Sequence, residues 1–274
     1  MNQESYSLPT FTMSQYNLYR LDDWIFWSLL IAGLTFCMTH AARRAFRQPF
    51  PTELGEAGSG LVADEIERHN LFQRILHWSN AVAIITLTIS GWMIYQPFAP
   101  ERTASVWFFW HRWAVVLLLV GLAFHTIYES IIVHRPNPMA ASRTEVRKVL
   151  AILKNFFGLS TFYPRLSKYH PGQIFFHWLV AGNLFLLTLT GFVIWKPFRD
   201  LLPLSLLGLG WDFIFYNRLL HGFFSATLIA SLFAHIYFAV LIKKNWKEAK
   251  SMFTGCIPSH EYLRCHHLDD NVTL

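Results

Sequence analysis

The stretch from Arg218 to Phe238, RLLHGFFSATLIASLFAHIYF, carries no charged side chain after its first residue. As a helix, a run this long and apolar matches the ~30 Å hydrocarbon core of a bilayer, so it predicts a membrane-spanning segment. Within it, His221 and His235 stand fourteen residues apart. That spacing rises ~21 Å along an α-helix and returns to within roughly 40° of the same face. The two imidazoles then share one side of the helix at two depths in the membrane. Ionisable side chains are costly there and point to function. Packing between helices is the plainer alternative.

Composition supports the membrane reading. Of 274 residues, 53% are hydrophobic and only 15% charged, with 25 Phe and 11 Trp. That excludes an ordinary soluble domain. The net charge of +6 lies in the junctions between apolar runs, so membrane orientation explains it and no nucleic-acid partner is expected. Cys37, Cys256 and Cys265 form no disulfide framework. The last two, with His260, His266 and His267 nearby, match no common zinc spacing.

Apolar segments are read at about 24–40, 75–95, 107–132, 172–195 and 213–242. Seventeen Lys and Arg fall in residues 41–74, 134–170 and beyond 242, against six on the opposite side. This bias predicts five helices in a prokaryotic inner membrane, N-terminus outside and C-terminus cytoplasmic. Residues 1–23 lack a basic n-region, so no cleaved signal peptide is expected. The chain divides into a segment 1–63 with the first helix and a linker, a core at 64–250, and a cytoplasmic tail at 251–274.

The core contains an internal repeat. His77–Phe98 and His177–Phe198 match at nine of 22 positions without gaps, and the fourteen-residue spacing of His221 and His235 recurs in His111 and His125. The predicted fold class is therefore an all-α membrane protein, a four-helix bundle made of a duplicated helix hairpin plus an extra N-terminal helix. Sites in such duplications lie where the copies face each other.

On this topology His111 and His221 open their helices near the outer face, while His77, His125, His177 and His235 lie nearer the inner one. Two neutral imidazoles from facing helices are the donor set for a six-coordinate haem iron, which suits electron transfer because no position stays open for substrate. His111 and His221 are repeat equivalents and make an outer pair. Arg112 and Arg218 beside them suit haem propionates, with snorkelling as the plainer role. His235 is one inner ligand; spacing alone leaves His77, His125 and His177 open as its partner. No ferredoxin-type cysteine run, phosphate-binding glycine loop or Ser-His-Asp candidate is present, so no catalytic residue is predicted.

Four motifs carry a resemblance: RILHW at 74–78, KYHPGQ at 168–173, LLHGFFS at 219–225 and AHIYFAV at 234–240. They resemble those of the di-haem cytochrome b (gamma) subunit of membrane-bound formate dehydrogenases, related to nickel–iron hydrogenase and thiosulfate reductase cytochrome b subunits. The likeness covers about residues 64–267, including a tail ending in paired histidines. It implies an outer b-type haem on His111 and His221 and an inner one on His77 and His235. It also implies a quinone pocket by His170, Gly172 and Gln173, where the family often has Asn and Ala in place of His170 and Pro171. His125 and His177 depart from the family pattern. The repeat maps His77–His235 onto His177–His125, which suggests a third haem. Glu129, one turn beyond His125, is an interfacial carboxylate that would be placed to pass protons.

The implied function is an electron-transfer subunit of a respiratory chain. Its partners would be an iron–sulfur subunit and a catalytic molybdenum or tungsten subunit, and its substrate menaquinone or another quinone, reduced near the cytoplasmic haem. The reverse flow, quinol oxidation feeding a reductase, uses the same parts, as does a hydrogenase cytochrome b. A reading of another class is a cofactor-free membrane anchor or transporter with the histidines as a proton relay.

Overall fold

The structure, a computed structural model, describes residues 13–46, 65–95, 101–128, 142–156, 159–160, 169–201 and 210–259. The linker at 47–64, Glu129, His260, Cys265, His266 and His267 lie outside the described residues. Eight helices are seen among them: α1 (Met13–Phe46), α2 (Leu71–Tyr95), α3 (Glu101–Ile127), α4 (Arg143–Phe156), α5 (Pro171–Ile194), α6 (Lys196–Leu201), α7 (Trp211–Ile236) and α8 (Trp246–Thr254). Two three-residue strands, β1 (Glu65–Glu67) and β2 (Cys256–Pro258), complete the set, and α7 runs on into a π-turn at Tyr237–Leu241.

The four core segments read from sequence become α2, α3, α5 and α7, while the N-terminal helix runs to 34 residues. Four stretches are long and apolar enough to cross a membrane: Asp23–Arg43, Ser105–Ile127, Pro171–Ile194 and Asp212–Leu241. The count of five is not reached on that measure. At 25 residues α2 is long enough, but Gln73, Arg74 and Asn80 dilute its apolarity. Gln73 caps the helix, Arg74 bonds to the Phe253 carbonyl and Asn80 fits against Gly121.

The chain falls into two compact units. The first comprises Met1–Thr39 and Gly182–Ala234. There α1 meets α7 through small residues: a Cβ added at Gly33 would lie 3.3 Å from the Cβ of Ala230. Close backbone approach of this kind is how helices associate where lipid offers no hydrophobic drive. Asn183, Thr190, Asn217 and Ser231 are buried while Phe185, Leu189, Leu220 and Phe233 are exposed, the pattern of a protein whose solvent is hydrocarbon. The hydroxyls of Ser225, Thr227 and Ser231 donate to carbonyls one turn back, so they are satisfied without water.

The second unit comprises His40–Ala181 and His235–Leu274. Here α2 packs along α3, with Ala83 and Ser90 wholly buried between them. Gly121 of α3 admits the side chain of Asn80: a Cβ there would fall 2.5 Å from Asn80 Oδ1. The start of α2 carries a reciprocal cap. The Gln73 N–H donates to Asn70 Oδ1 (2.9 Å), and the Asn70 N–H donates to Gln73 Oε1 (3.2 Å), so two orphan donors of the first turn are satisfied together. Asn70 Nδ2 also donates to the Tyr128 hydroxyl at 2.7 Å, tying the start of α2 to the end of α3.

Residues 251–258, read from sequence as tail, close onto this same end of the unit. β2 pairs antiparallel with β1, Ile257 opposite Ile66. Gly255 ends α8 in the left-handed conformation (φ 90°), a backbone state that glycine adopts without strain. Its carbonyl accepts from the Arg68 and His69 N–H groups. Trp78 Nε1 donates to the Met252 carbonyl, and Arg74 to that of Phe253. The buried guanidinium of Arg68 lies 3.5 Å from Glu248 and over the Tyr169 ring. A further helix, α4, falls in a stretch read from sequence only as a basic junction. It exposes Val146, Leu150 and Leu153 beside Arg147 and Lys154, the amphipathic make-up of a helix lying in a membrane interface.

Candidate metal centre

Two of the six core histidines are wired within their own hairpins. His111 Nδ1 lies 2.9 Å from Ser90 Oγ, and His221 Nδ1 lies 2.9 Å from Thr190 Oγ1. Ser90 and Thr190 are repeat equivalents, so one device occurs twice. Each hydroxyl also reaches a carbonyl one turn back, that of Thr86 at 2.6 Å for Ser90 and that of Leu186 at 2.8 Å for Thr190. A hydroxyl has one proton to donate. With that proton on the carbonyl, the hydroxyl oxygen accepts the Nδ1–H, and the neutral imidazole carries its lone pair on Nε2. A hydrogen bond on one ring nitrogen that prepares the other for a metal is the usual second contact of a ligand histidine. His111 and His221 belong to different units, each with its own hydroxyl partner.

Gly91 and Gly191 sit beneath these rings. A Cβ would meet His111 Cε1 at 3.6 Å and His221 Cε1 at 3.4 Å. Both are ordinary contacts, so neither glycine is demanded by space.

The other four histidines pair across the repeat, all within the second unit. The rings of His77 and His235 have centres 6.3 Å apart, and those of His125 and His177 6.2 Å apart. Two imidazoles sharing one metal atom, with metal–nitrogen bonds of ~2.0 Å, have ring centres ~6 Å apart. An in-line N–H···N hydrogen bond of ~2.9 Å would draw them to ~5 Å. Both observed spacings match a one-atom bridge. Among the three partners that spacing left open for His235, the structure brings His77 to it. Phe176 stacks on His235, its ring 5.1 Å away and 13° from parallel, which restrains the imidazole's rotation.

The donor set decides what these pairs can hold. No group of three or more His, Cys, Asp or Glu converges among the described residues, so a bare ion would lack ligands. Two axial imidazoles suffice when a planar macrocycle supplies four equatorial nitrogens, and the histidines fit that group. Arg112 and Arg218 are exposed beside His111 and His221, open to an anionic partner.

The residues expected at a quinone take a structural part at the start of α5. His170 caps the helix: its Nδ1 accepts the Gly172 N–H at 2.9 Å, and its own N–H donates to Gln173 Oε1 at 2.9 Å. A Cβ on Gly172 would sit 3.0 Å from that Nδ1, so the glycine lets the ring approach. Gln173 Nε2 donates to Glu248 at 3.1 Å. This copies the Asn70–Gln73 cap of α2, one hundred residues earlier. Along α2, where it meets α8, lies an open groove of about 540 Å³ lined by Leu71, Ile75, Trp78, Val82, Met252 and Phe253.

Sequence reasoning passed over Ser90 and Thr190, although both precede the repeat's matched glycine. It also missed His40, whose Nδ1 lies 2.9 Å from the Tyr237 hydroxyl, joining the end of α1 to the π-turn.

Comparison with known proteins places the chain among membrane cytochromes. The sequence profile of a family described as prokaryotic cytochrome b561 matches residues 68–255. The chain is 23% identical over 211 residues to the cytochrome b556(Fdn) subunit of the nitrate-inducible formate dehydrogenase of Escherichia coli, covering 74% of this chain and 88% of that protein. It is 27% identical over 191 residues to a putative protein-methionine-sulfoxide reductase subunit YedZ1 of Azospira oryzae, covering 65% and 92%. It is 26% identical over 222 residues to the F420 non-reducing hydrogenase II cytochrome subunit of Methanosarcina mazei, covering 69% and 81%.

Proposed function

The chain belongs to the prokaryotic cytochrome b561 family, and from that premise we propose that it is the haem b membrane subunit of an oxidoreductase complex, carrying electrons between an external partner and the membrane quinone pool. Membership implies an all-α membrane protein that binds b-type haem. The finer reading is a di-haem subunit with His77 and His235 holding one group and His111 and His221 the other. The observation that carries it is the 6.3 Å spacing of His77 and His235 in a donor set of two. When bound, haem b supplies a one-electron redox centre with no open position on its iron.

The remaining chemistry belongs to the chain. Ser90 and Thr190 hold the Nδ1 protons of His111 and His221 and so present Nε2. Arg112 and Arg218, exposed near these histidines in sequence, would pair with the propionates. At the start of α5 the Nδ1 of His170 accepts from Gly172, so the neutral ring carries its proton on Nε2, a donor for a quinone carbonyl. The apolar groove beside Trp78 suits an isoprenoid tail. With the N-terminus outside, α1 crossing as an added span and the core at 64–250 behind it, quinone reduction would draw protons from the cytoplasm. The partners are an iron–sulfur subunit and a catalytic molybdenum or tungsten subunit, as in a formate dehydrogenase.

The similarity to a putative methionine-sulfoxide reductase subunit favours a second reading, in which the chain oxidises quinol and feeds a reductase. Mixing the purified complex with a quinol analogue separates the two, since rapid reduction of the cytochrome by quinol belongs to the second. The test of the whole reading is a redox-titrated visible spectrum of the purified chain. A Soret band that shifts on reduction, weakened in His221→Ala, is expected. A colourless preparation from haem-replete cells would leave the membrane-anchor or transporter reading.

A further inference from the structure

We propose that His125 and His177 are a second iron-ligating pair in the unit that holds His77 and His235, so that the chain binds three b-type haems; this rests on the haem reading above. The pair has the metrics of its counterpart. Ring centres lie 6.2 Å apart against 6.3 Å for His77–His235, and the rings are inclined by 62° against 53°. The repeat explains the likeness, since His77 maps onto His177 and His235 onto His125. One pair joins α2 to α7 and the other α5 to α3, as a duplicated hairpin requires.

The commoner fate of a histidine between membrane helices is a hydrogen bond to a neighbour. Here that explanation is absent. Among the described residues no ring nitrogen of His125 or His177 makes a hydrogen bond; the two rings contact each other, and that of His177 also contacts Trp178. His111 and His221, by contrast, each engage a hydroxyl. The spacing is too long for a direct N–H···N bond of ~2.9 Å between the rings. It suits a single metal atom between them, with bonds of ~2.0 Å. No third donor converges, so the remaining positions must come from the ligand itself, as a porphyrin provides.

The experiment is haem quantitation per polypeptide on the complex purified in detergent, by pyridine haemochrome against amino-acid analysis. Near-infrared magnetic circular dichroism is read in parallel as the signature of bis-histidine iron. Three haems per chain are expected, falling to two in His125→Ala, in His177→Ala and in His77→Ala. If His177→Ala fails to assemble, His177→Met keeps an axial donor, and one of three haems should then change its ligand signature. Two haems per chain, unchanged in His125→Ala, would overturn the proposal while leaving the di-haem reading intact. No haem at all would overturn both.

Discussion

His111 and His221, which lie ten residues inside α3 and α7 and do not open these helices as read from sequence, and the other four core histidines are held by different means. His111 and His221 are each tethered by a hydroxyl of the other long helix of the same hairpin, twenty-one and thirty-one residues away. His77, His125, His177 and His235 have rings matched across hairpins, fifty-two residues apart at the least. The first arrangement is complete once a hairpin forms. The second exists only when two hairpins have docked. The difference shows how a duplicated hairpin supplies ligands before any cofactor arrives: one copy orients a ring, and two copies are needed to oppose one.

The largest expected effect comes from breaking the docked type. His235→Ala should remove one haem per chain and, since electron transfer along the chain is then interrupted, lower quinone-linked activity by more than the ~100-fold upper end for losing an outer partner of a ligand. Haem stoichiometry and steady-state turnover check this. If the opposing ring were mere packing, the stoichiometry would not move.

The locally tethered type should fail more gently. Thr190→Val keeps the shape but removes the acceptor for the His221 Nδ1–H. Haem should remain, with affinity reduced about 10–100-fold, as for loss of an outer partner of a ligand histidine. Ser90→Ala should do the same at His111. Competitive haem transfer to apo-myoglobin, with a potentiometric titration, measures both. Unequal responses at the two positions would show that the duplicated device has diverged.

Smaller effects follow from packing. Gly121→Ala places a Cβ 2.5 Å from Asn80 Oδ1 and should lower stability by about 1–3 kcal/mol through overpacking between α2 and α3. Adding Asn80→Ala should restore much of it, because residues in contact do not act additively. Thermal denaturation of the two variants and their combination gives the coupling. Smallest is Gln173→Ala, which strips part of the α5 cap and the contact to Glu248. A loss of about 1 kcal/mol is expected, with Gln73→Ala matching it at the repeat position. A loss of quinone reduction beyond that destabilisation would mark the α5 start as part of the quinone pocket.

Much of the fold was legible because its signals are local. Apolar runs bounded by basic junctions marked α2, α3, α5 and α7, and the one-hundred-residue repeat was visible in aligned letters. Where the reading fell short, the missing information was spatial. The partner of His235 stayed open because His77, His125 and His177 all lie at a compatible depth. The tail at 251–258 looked separate because three-residue strands and a nine-residue helix leave no periodic trace. The Ser90 and Thr190 hydroxyls were indistinguishable from the many that merely bond back to their own helix.

By itself the sequence determined that this chain makes apolar helices, that they come as two related hairpins, and that histidines recur at two levels of them. Backbone groups removed from water must pair along the same segment, and this makes helix formation a property of the local run. Which imidazole faces which was decided only by tertiary structure. Opposition across ~6 Å depends on how helices from different hairpins pack and rotate against one another, and no spacing along one strand of letters encodes that rotation.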